Sequence, residues 1–194
     1  MRVVSGALGG RGLKSPPGAT RPTQDRVRAA LFDILGPWVT GARVLDLYAG
    51  SGALGIEALS RGAASAVFVE RGRAALAVLE ENVHALGLEG RSRLLRLPVA
   101  RALALLAREG ARFDLVLADP PYALAPGPWR RAAGALVAAG GLLVVEAAAR
   151  RPPEADADLK LVRRAVYGDT ALEFWRPGDG AGGMDDAGGV PGHV

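Results

Sequence analysis

The run Asp119-Pro120-Pro121-Tyr122 follows directly on the apolar stretch Phe113 to Ala118. Its residue types suit the activation of an exocyclic amine on a nucleobase. Such an amine is a poor nucleophile because its lone pair is delocalised into the ring. Asp119 can accept one N–H and the Pro120 carbonyl can accept the other. Two acceptors in that geometry match a pyramidal nitrogen better than a flat one, which favours a lone pair aimed at an incoming methyl group. The prolines stiffen the turn and leave its carbonyls free to accept. Tyr122 is suited to stacking on the face of a base taken out of its helix.

A second chemical signal lies upstream, in Asp46-Leu47-Tyr48-Ala49-Gly50-Ser51-Gly52-Ala53-Leu54-Gly55. Gly50, Gly52 and Gly55 have the spacing of a dinucleotide-binding turn between a strand and a helix. Glycine lets the backbone approach a ligand closely, and the amides opening the next helix favour an anionic group. Glu70 stands 20 residues after Gly50 at the end of a second strand, where a carboxylate accepts hydrogen bonds from ribose hydroxyls. This spacing admits either a nicotinamide cofactor or S-adenosyl-L-methionine. Asp46 favours the second, because a carboxylate there suits a ligand with an ammonium group, which methionine carries and NAD lacks. The candidate cofactor residues are Asp46, Tyr48, Ala49, Gly50, Ser51, Gly52, Glu70, Arg71, Val99 and Ala100.

The elements that must position these residues alternate between strand and helix, the pattern of an α/β, doubly wound, mostly parallel sheet. Short apolar strands are predicted at Arg43 to Leu47, Ala66 to Glu70, Arg93 to Leu97, Phe113 to Ala118 and Leu142 to Glu146. Helices are predicted near Leu54 to Arg61, Ala74 to Leu86, Arg101 to Arg108 and Trp129 to Ala138. The stretches Leu159 to Tyr167 and Ala171 to Trp175 flank Gly168-Asp169 and predict a terminal antiparallel hairpin that closes the sheet edge. The three chemical signals then meet at the carboxyl edge of one sheet.

At the start of the chain, Arg2 to Ser5 and Gly12 to Lys14 flank a glycine-rich turn, predicting a small hairpin outside the main domain. Prolines 16, 17 and 22 keep the next stretch extended. Thr23 is expected to cap a helix whose apolar positions Val27, Ala30, Leu31 and Ile34 recur at helical spacing up to Gly36-Pro37. The expected organisation is a basic hairpin-and-helix extension over residues 1–38, a main domain over 39–177 and a disordered, Gly- and Asp-rich tail over 178–194.

Composition narrows the chemistry further. The 194 residues are 49% hydrophobic and 23% charged, which suits one compact domain and excludes fibrous or disordered classes. There is no cysteine and there are only two histidines, so disulfides, thiolate metal sites and a Ser-His-Asp triad lack material, and no metal is expected. His84 and Trp129 read as helix residues without chemistry. No apolar run reaches the 18 or so residues that cross a bilayer, and Met1-Arg2-Val3 leads into no signal-peptide core, so the expected location is cytoplasmic. All but two of the 24 basic residues are arginine, which gives planar, bidentate contacts to phosphate. Residues 1–28 hold Arg2, Arg11, Lys14, Arg21, Arg26 and Arg28 against Asp25 alone, so the net +4 is carried by the N-terminus. That segment is expected to hold a nucleic-acid backbone largely without reading its sequence, through Arg2, Arg11, Lys14, Arg21, Thr23 and Arg26.

The Asp119 to Tyr122 signature resembles the amino-methyltransferases. The run from Asp46 to Gly62, together with Arg21-Pro22-Thr23-x-Asp25-Arg26-Val27-Arg28, resembles the RsmD family over roughly residues 1–176. The resemblance implies a Rossmann-like class I S-adenosylmethionine-dependent methyltransferase acting on the N2 amine of one guanine in small-subunit (16S) ribosomal RNA. It further implies that Gly50, Ser51 and Gly52 line the methionine half of the cofactor, Glu70 its ribose, and Asp119 to Tyr122 the target guanine. Arg21, Pro22 and Thr23 would stand beside the mouth of the site. Relatives often carry an acid or amide after the third strand to hold the adenine amine. Here Pro98-Val99-Ala100 leaves that task to backbone groups near Val99. A monomer acting on RNA, free or bound to ribosomal proteins, is the expected arrangement.

Three rivals share parts of the pattern. DNA adenine or cytosine methyltransferases use the same tetrapeptide but usually add a target-recognition domain. A protein glutamine methyltransferase leaves the basic N-terminus without a purpose. An NAD-dependent oxidoreductase or a silent nucleotide-binding module accounts for the glycine loop but not for Asp119 to Tyr122.

Overall fold

The computed structural model describes residues 1–15, 22–121, 124 and 127–178. Helix α1 (Pro22–Leu35) precedes the sheet, and its start at Pro22 puts Thr23 inside the first turn instead of at the cap, since proline suits the first helical positions. The elements that follow are β1 (Arg43–Leu47), α2 (Ala53–Ser60), β2 (Ser65–Val69), α3 (Arg73–Ala85), β3 (Ser92–Leu95), α4 (Val99–Arg108), β4 (Phe113–Ala118), α5 (Gly127–Gly134), β5 (Val137–Ala148), β6 (Leu159–Tyr167) and β7 (Thr170–Pro177). The sheet order is β3-β2-β1-β4-β5-β7-β6. Strands β1 to β5 are parallel and β7 pairs antiparallel with both β5 and β6, so the expected doubly wound sheet with a terminal antiparallel hairpin is the fold. The order reverses between β1 and β4, and a crevice opens there at the carboxyl ends of the strands.

Alternation along the central strands sorts side chains onto two faces. Val44, Leu115, Leu117, Leu142 and Val144 pack with α1, α2 and α3, while Leu45, Val116, Leu143 and Val145 pack with α4 and α5. These are two buried cores, one on each side of a parallel sheet.

Several predicted boundaries move. The helix expected to end at Ala138 ends at Gly134, and Val137 to Ala139 already belong to β5. The pairing of β4 with β5 shifts register between Phe113 and Leu115, opposite Gly140-Gly141. A Cβ at Gly141 would lie 2.7 Å from the Asp114 carbonyl oxygen, so the glycine pair admits a strand irregularity that breaks the periodicity. Strand β3 ends at Leu95 instead of Leu97, and α4 begins at Val99 instead of Arg101. Pro98 holds an extended conformation (φ −57°, ψ 141°) ahead of the first turn, and its carbonyl accepts from the Arg101 and Ala102 amides.

The N-terminal segment is a narrow turn closed by one antiparallel bridge, Arg2 with Gly12. It is docked on the main body, contrary to the expectation of a hairpin outside it. Val3 and Leu13 are buried in the same core as α1 and α2. The Glu57 carboxylate of α2, with no exposure to solvent, accepts from the Val4 and Ser5 amides at 2.7 and 3.0 Å. Ser60 adds its carbonyl to the Ala7 amide (2.8 Å) and its hydroxyl oxygen to the Leu8 amide (3.0 Å). Gly6 at φ +82° allows the approach, because a Cβ there would collide with the Ser60 carbonyl. The expected C-terminal tail beyond residue 178 lies outside the described residues.

Candidate active site

Asp46 sits near the end of β1, Asp119 follows β4, and Glu146 is near the end of β5. The parallel register pairs Asp46 with Leu117 and Ala118 with Val145, so the strand ends bring Asp119 and Glu146 side by side. All three acids have the parity of Val44, Leu115, Leu117, Leu142 and Val144, and therefore the face covered by α1. One cleft is lined by Asp46, Asp119 and Glu146, by Tyr48 to Ser51 of the glycine loop, and by Gln24, Val27 and Arg28 of α1. The structure thus brings Asp119 and the glycine loop into one crevice.

The glycine loop owes its shape to close packing. Gly52 has φ +84°, and a Cβ on it would lie 2.3 Å from Leu79 Cδ1. A Cβ on Gly55 would lie 2.3 Å from Phe68 Cε1, so α2 rests directly on β2. Asp46 Oδ2 accepts from the Gly55 amide at 2.9 Å. Glu70 accepts from the Gly50 amide at 2.9 Å and from the Gly72 amide at 2.6 Å, which fixes the loop against the end of β2. Ser51 is buried, and its carbonyl accepts from Asn82 Nδ2 at 3.0 Å. Asn82 also accepts from the Lys14 amide (2.8 Å) and donates to the Lys14 carbonyl (3.0 Å), which ties the N-terminal segment to the loop. Tyr48 is a non-glycine residue at φ +61°, with its ring edge-on to Trp129 at 5.5 Å and its hydroxyl pKa pushed up to about 12 by partial burial. Ala49 is buried in the crevice wall, and Arg71 is exposed at its rim.

Burial and mutual repulsion govern the carboxylates. Burial pushes Asp46 up to about 7 against the Gly55 hydrogen bond, with the charges of Asp119 and Glu70 adding to the rise. Asp119 is raised to about 6 by burial. Glu146 is raised to about 8 by burial and then by the charge of Asp119. Among the described residues, no side-chain hydrogen bond or ion pair reaches either Asp119 or Glu146. Pro120 is buried and Pro121 exposed, and with Glu146 and Trp129 they wall a second groove beyond the tetrapeptide. Tyr122 lies outside the described residues.

Val99 and Ala100 form the first turn of α4 beyond the end of β3, where helix amides lack an intrahelical partner. Among the basic residues, Arg2, Arg11 and Arg26 are exposed, and Arg2 and Arg26 share one shallow depression. Lys14 is exposed and ion-paired to Glu81 at 2.7 Å. Arg28 is buried instead of RNA-facing, bonded to the Arg2 carbonyl and Asp25, with Glu57 at 3.7 Å. Arg21 and the Thr23 side chain lie outside the described residues. His84 is exposed beside Glu89. Among the described residues there is no cluster of three or more His, Cys, Asp or Glu able to hold a metal ion, and no helix is long and apolar enough to cross a membrane.

Glu57, Asn82 and Glu146 are the residues that sequence reasoning missed. An acid inside the motif Leu54-Gly55-Ile56-Glu57-Ala58 and another after the apolar run Leu142 to Val145 were the available signals. Asn82 had none beyond its place on a helix.

A family model described as Conserved hypothetical protein 95 matches residues 1–176. The Bacillus subtilis (strain 168) protein YlbH is 44% identical over 123 residues, which are 63% of this chain and 67% of that protein. Ribosomal RNA small subunit methyltransferase D of Escherichia coli (strain K12) is 43% identical over 124 residues, 63% of this chain and 60% of that one. The matched stretch thus spans about 60 to 67% of these curated relatives. The solved structure of yhhF from Escherichia coli superposes with a TM-score of 0.76 at 35% identity, covering 91% of this chain and 97% of that one.

Proposed function

Because the chain belongs to the RsmD family, whose model spans residues 1–176, we propose that it moves the methyl group of S-adenosyl-L-methionine to the N2 amine of one guanine in small-subunit ribosomal RNA. The observation that carries this reading is the carboxylate of Asp119, half-buried after β4 and without a side-chain partner among the described residues, in the crevice that also contains the glycine loop.

The residues of the crevice fit that cofactor. It is cationic at the sulfonium and the ammonium and anionic at the carboxylate, and Asp46, Asp119 and Glu146 offer acids to the two positive groups. Asp46 has one oxygen on Gly55 and offers the other to the ammonium. Glu70 steadies the loop with both oxygens and retains a lone pair on each for ribose hydroxyls. The Val99 and Ala100 amides are suited to the adenine ring in place of a side chain. When bound, S-adenosylmethionine supplies the methyl group and a neutral thioether as the leaving group.

Asp119 and the Pro120 carbonyl each accept one N–H of the amine, which frees the nitrogen lone pair from the ring. As the N–CH3 bond forms, the S–CH3 bond breaks. The nitrogen then sheds its surplus proton, and Asp119 is placed to receive it. No covalent bond to the protein is required. Arg2, Arg11, Lys14 and Arg26 hold RNA phosphates, a role the family resemblance extends to Arg21 and Thr23. The described domain offers few elements for reading sequence, which supports selection of the target by the shape of a folded RNA or of a particle containing ribosomal proteins, with the enzyme acting as a monomer.

The test is transfer of labelled methyl from S-adenosylmethionine to unmodified small-subunit RNA, naked and protein-bound, with nucleoside analysis of the product. N2-methylguanosine supports the reading. Absence of transfer to both RNAs, with cofactor binding intact, overturns it.

A further inference from the structure

Glu146 adds negative charge to the crevice but takes no part in the transfer step above, yet it lies at the centre of the site. The β4–β5 register sets it beside Asp119, with the strands about 4.8 Å apart. It lines both the cofactor crevice and the groove beyond Pro120 and Pro121, so it stands at the junction where an amine would meet Asp119. Among the described residues its carboxyl group has no hydrogen-bond or ion-pair partner. A half-buried, unpartnered acid beside another acid is destabilising, and a ligand that donates to it relieves the cost.

Nucleobase chemistry identifies such a donor. In guanine the amine-bearing carbon lies between N3, an acceptor, and N1–H, a donor. In adenine the corresponding nitrogen is N1, and in cytosine it is N3, and both are acceptors. A second acceptor next to the amine site therefore pairs with guanine and faces a lone pair in the other two.

We infer that Glu146 is the specificity-determining residue for the target base, accepting the N1–H of guanine while Asp119 and the Pro120 carbonyl hold the N2 amine. The inference rests on the guanine-N2 reading and extends it to the atom that distinguishes this base from the other amino-bearing ones. Burial and the negative charge of Asp119 hold the Glu146 carboxyl group partly protonated before the cofactor arrives. Either protonation state keeps an oxygen acceptor for N1–H. The charged form is the stronger acceptor, and the cofactor's positive charge favours it.

The test keeps the 2-amine and removes the N1 proton, the 6-oxygen becoming a 6-amine in the analogue, so the wild-type preference is read against that of the Glu146 variant. After the methylated position is mapped, the small-subunit RNA is rebuilt by ligation with 2,6-diaminopurine there, which retains the 2-amine but has an unprotonated N1. The wild-type protein should prefer guanine over diaminopurine by at least about 100-fold in kcat/KM, because the analogue leaves a buried acceptor unpaired. In Glu146→Gln the amide offers both an oxygen and an NH2 group, so the ratio should fall to about tenfold or less. S-adenosylmethionine titration reports whether the variant site is intact. Equal rates on the two RNAs with wild-type protein overturn the inference while leaving guanine-N2 methylation standing. So does a Glu146→Gln variant that loses rate with an unchanged base ratio, the signature of a purely structural acid. Failure of wild-type protein to form N2-methylguanosine on the guanine RNA overturns the functional reading and this inference with it.

Discussion

Removal of the Glu57 carboxylate is the sharpest test of how the N-terminal segment is held. This side chain has no solvent exposure and accepts three hydrogen bonds, from the Val4 amide (2.7 Å), the Ser5 amide (3.0 Å) and Arg61 Nε (2.8 Å), with Arg28 Nε at 3.7 Å. Each bond to a charged group is worth about 1.5–3 kcal/mol, but they share one carboxylate and do not add. Deleting one partner of a buried ionic network costs about 3–5 kcal/mol because the other charges stay buried. Glu57→Ala leaves two backbone donors and Arg61 Nε without their acceptor and strips Arg28 and Arg61 of a shared counter-ion, so its expected cost lies in that range of about 3–5 kcal/mol. For a chain of this size the expected fall in Tm is about 6–20 °C. Urea denaturation gives the stability, and hydrogen exchange over residues 1–15 gives its location. Protection at Val4 and Ser5 should fall more than in β1 or β4. A loss of under about 1 kcal/mol, or unchanged exchange at those two amides, would refute the anchoring role.

The remaining expectations concern the crevice and the basic face. Asp119→Ala should lower turnover by about 10²–10⁴-fold with S-adenosylmethionine affinity nearly unchanged; an equal loss of affinity in calorimetric titration would place Asp119 in cofactor binding alone. Asp46 and Glu146, at about 7 and 8, are partly protonated at neutral pH while Asp119, at about 6, is mostly ionised, and a cationic cofactor lowers all three. Binding at pH 7 should therefore release protons, read as a dependence of binding enthalpy on buffer ionisation enthalpy, and proton uptake or no linkage contradicts the placement. The folded Asp46 keeps its proton to about pH 7 while the unfolded chain releases it near 4. Its contribution to stability is thus present below about pH 4 and declines as pH rises to about 7, by on the order of 4 kcal/mol. Asp46→Asn should flatten that decline in denaturation curves, and an unaltered pH profile argues against a buried, protonated Asp46. Arg11→Glu with Arg26→Glu should weaken RNA binding and reduce the salt slope by about 1 per lost phosphate contact; an unchanged slope removes both from the interface.

Much of the site was legible because its signals are local. Strand β4 is a continuous apolar run ending at a proline pair, and Phe113–Ala118 holds to the residue. The glycine spacing marks the β1–α2 turn regardless of what surrounds it. What escaped depends on contacts between distant segments. Gly140-Gly141 reads as a loop, and only the Asp114 carbonyl lying close against Gly141 explains why the chain continues there as β5. The N-terminal turn reads as free-standing until the Glu57 carboxylate, more than fifty residues away, accepts its amides. Arg28 counts as surface charge in a linear tally, but the same carboxylate and the Arg2 carbonyl draw it inward.

Glu146 illustrates the limit most directly. An acid closing an apolar strand has no evident partner until the strand order is known, and β5 could have lain at an edge with the residue in water. Once β5 pairs with β4 in parallel, alternation forces Glu146 onto the face of Leu142 and Val144, beneath α1, with Asp119 as its neighbour. Two adjacent acids there oppose folding at neutral pH, and nothing among the described residues neutralises them. A scaffold selected for stability alone gains from replacing either by an amide. Their joint placement at the strand switch point makes sense when the missing positive charge and the missing N–H donors arrive together, as a cationic methyl donor and an amino-bearing base. The electrostatic cost of setting two acids side by side is offset by the two ligands that have to meet beside them.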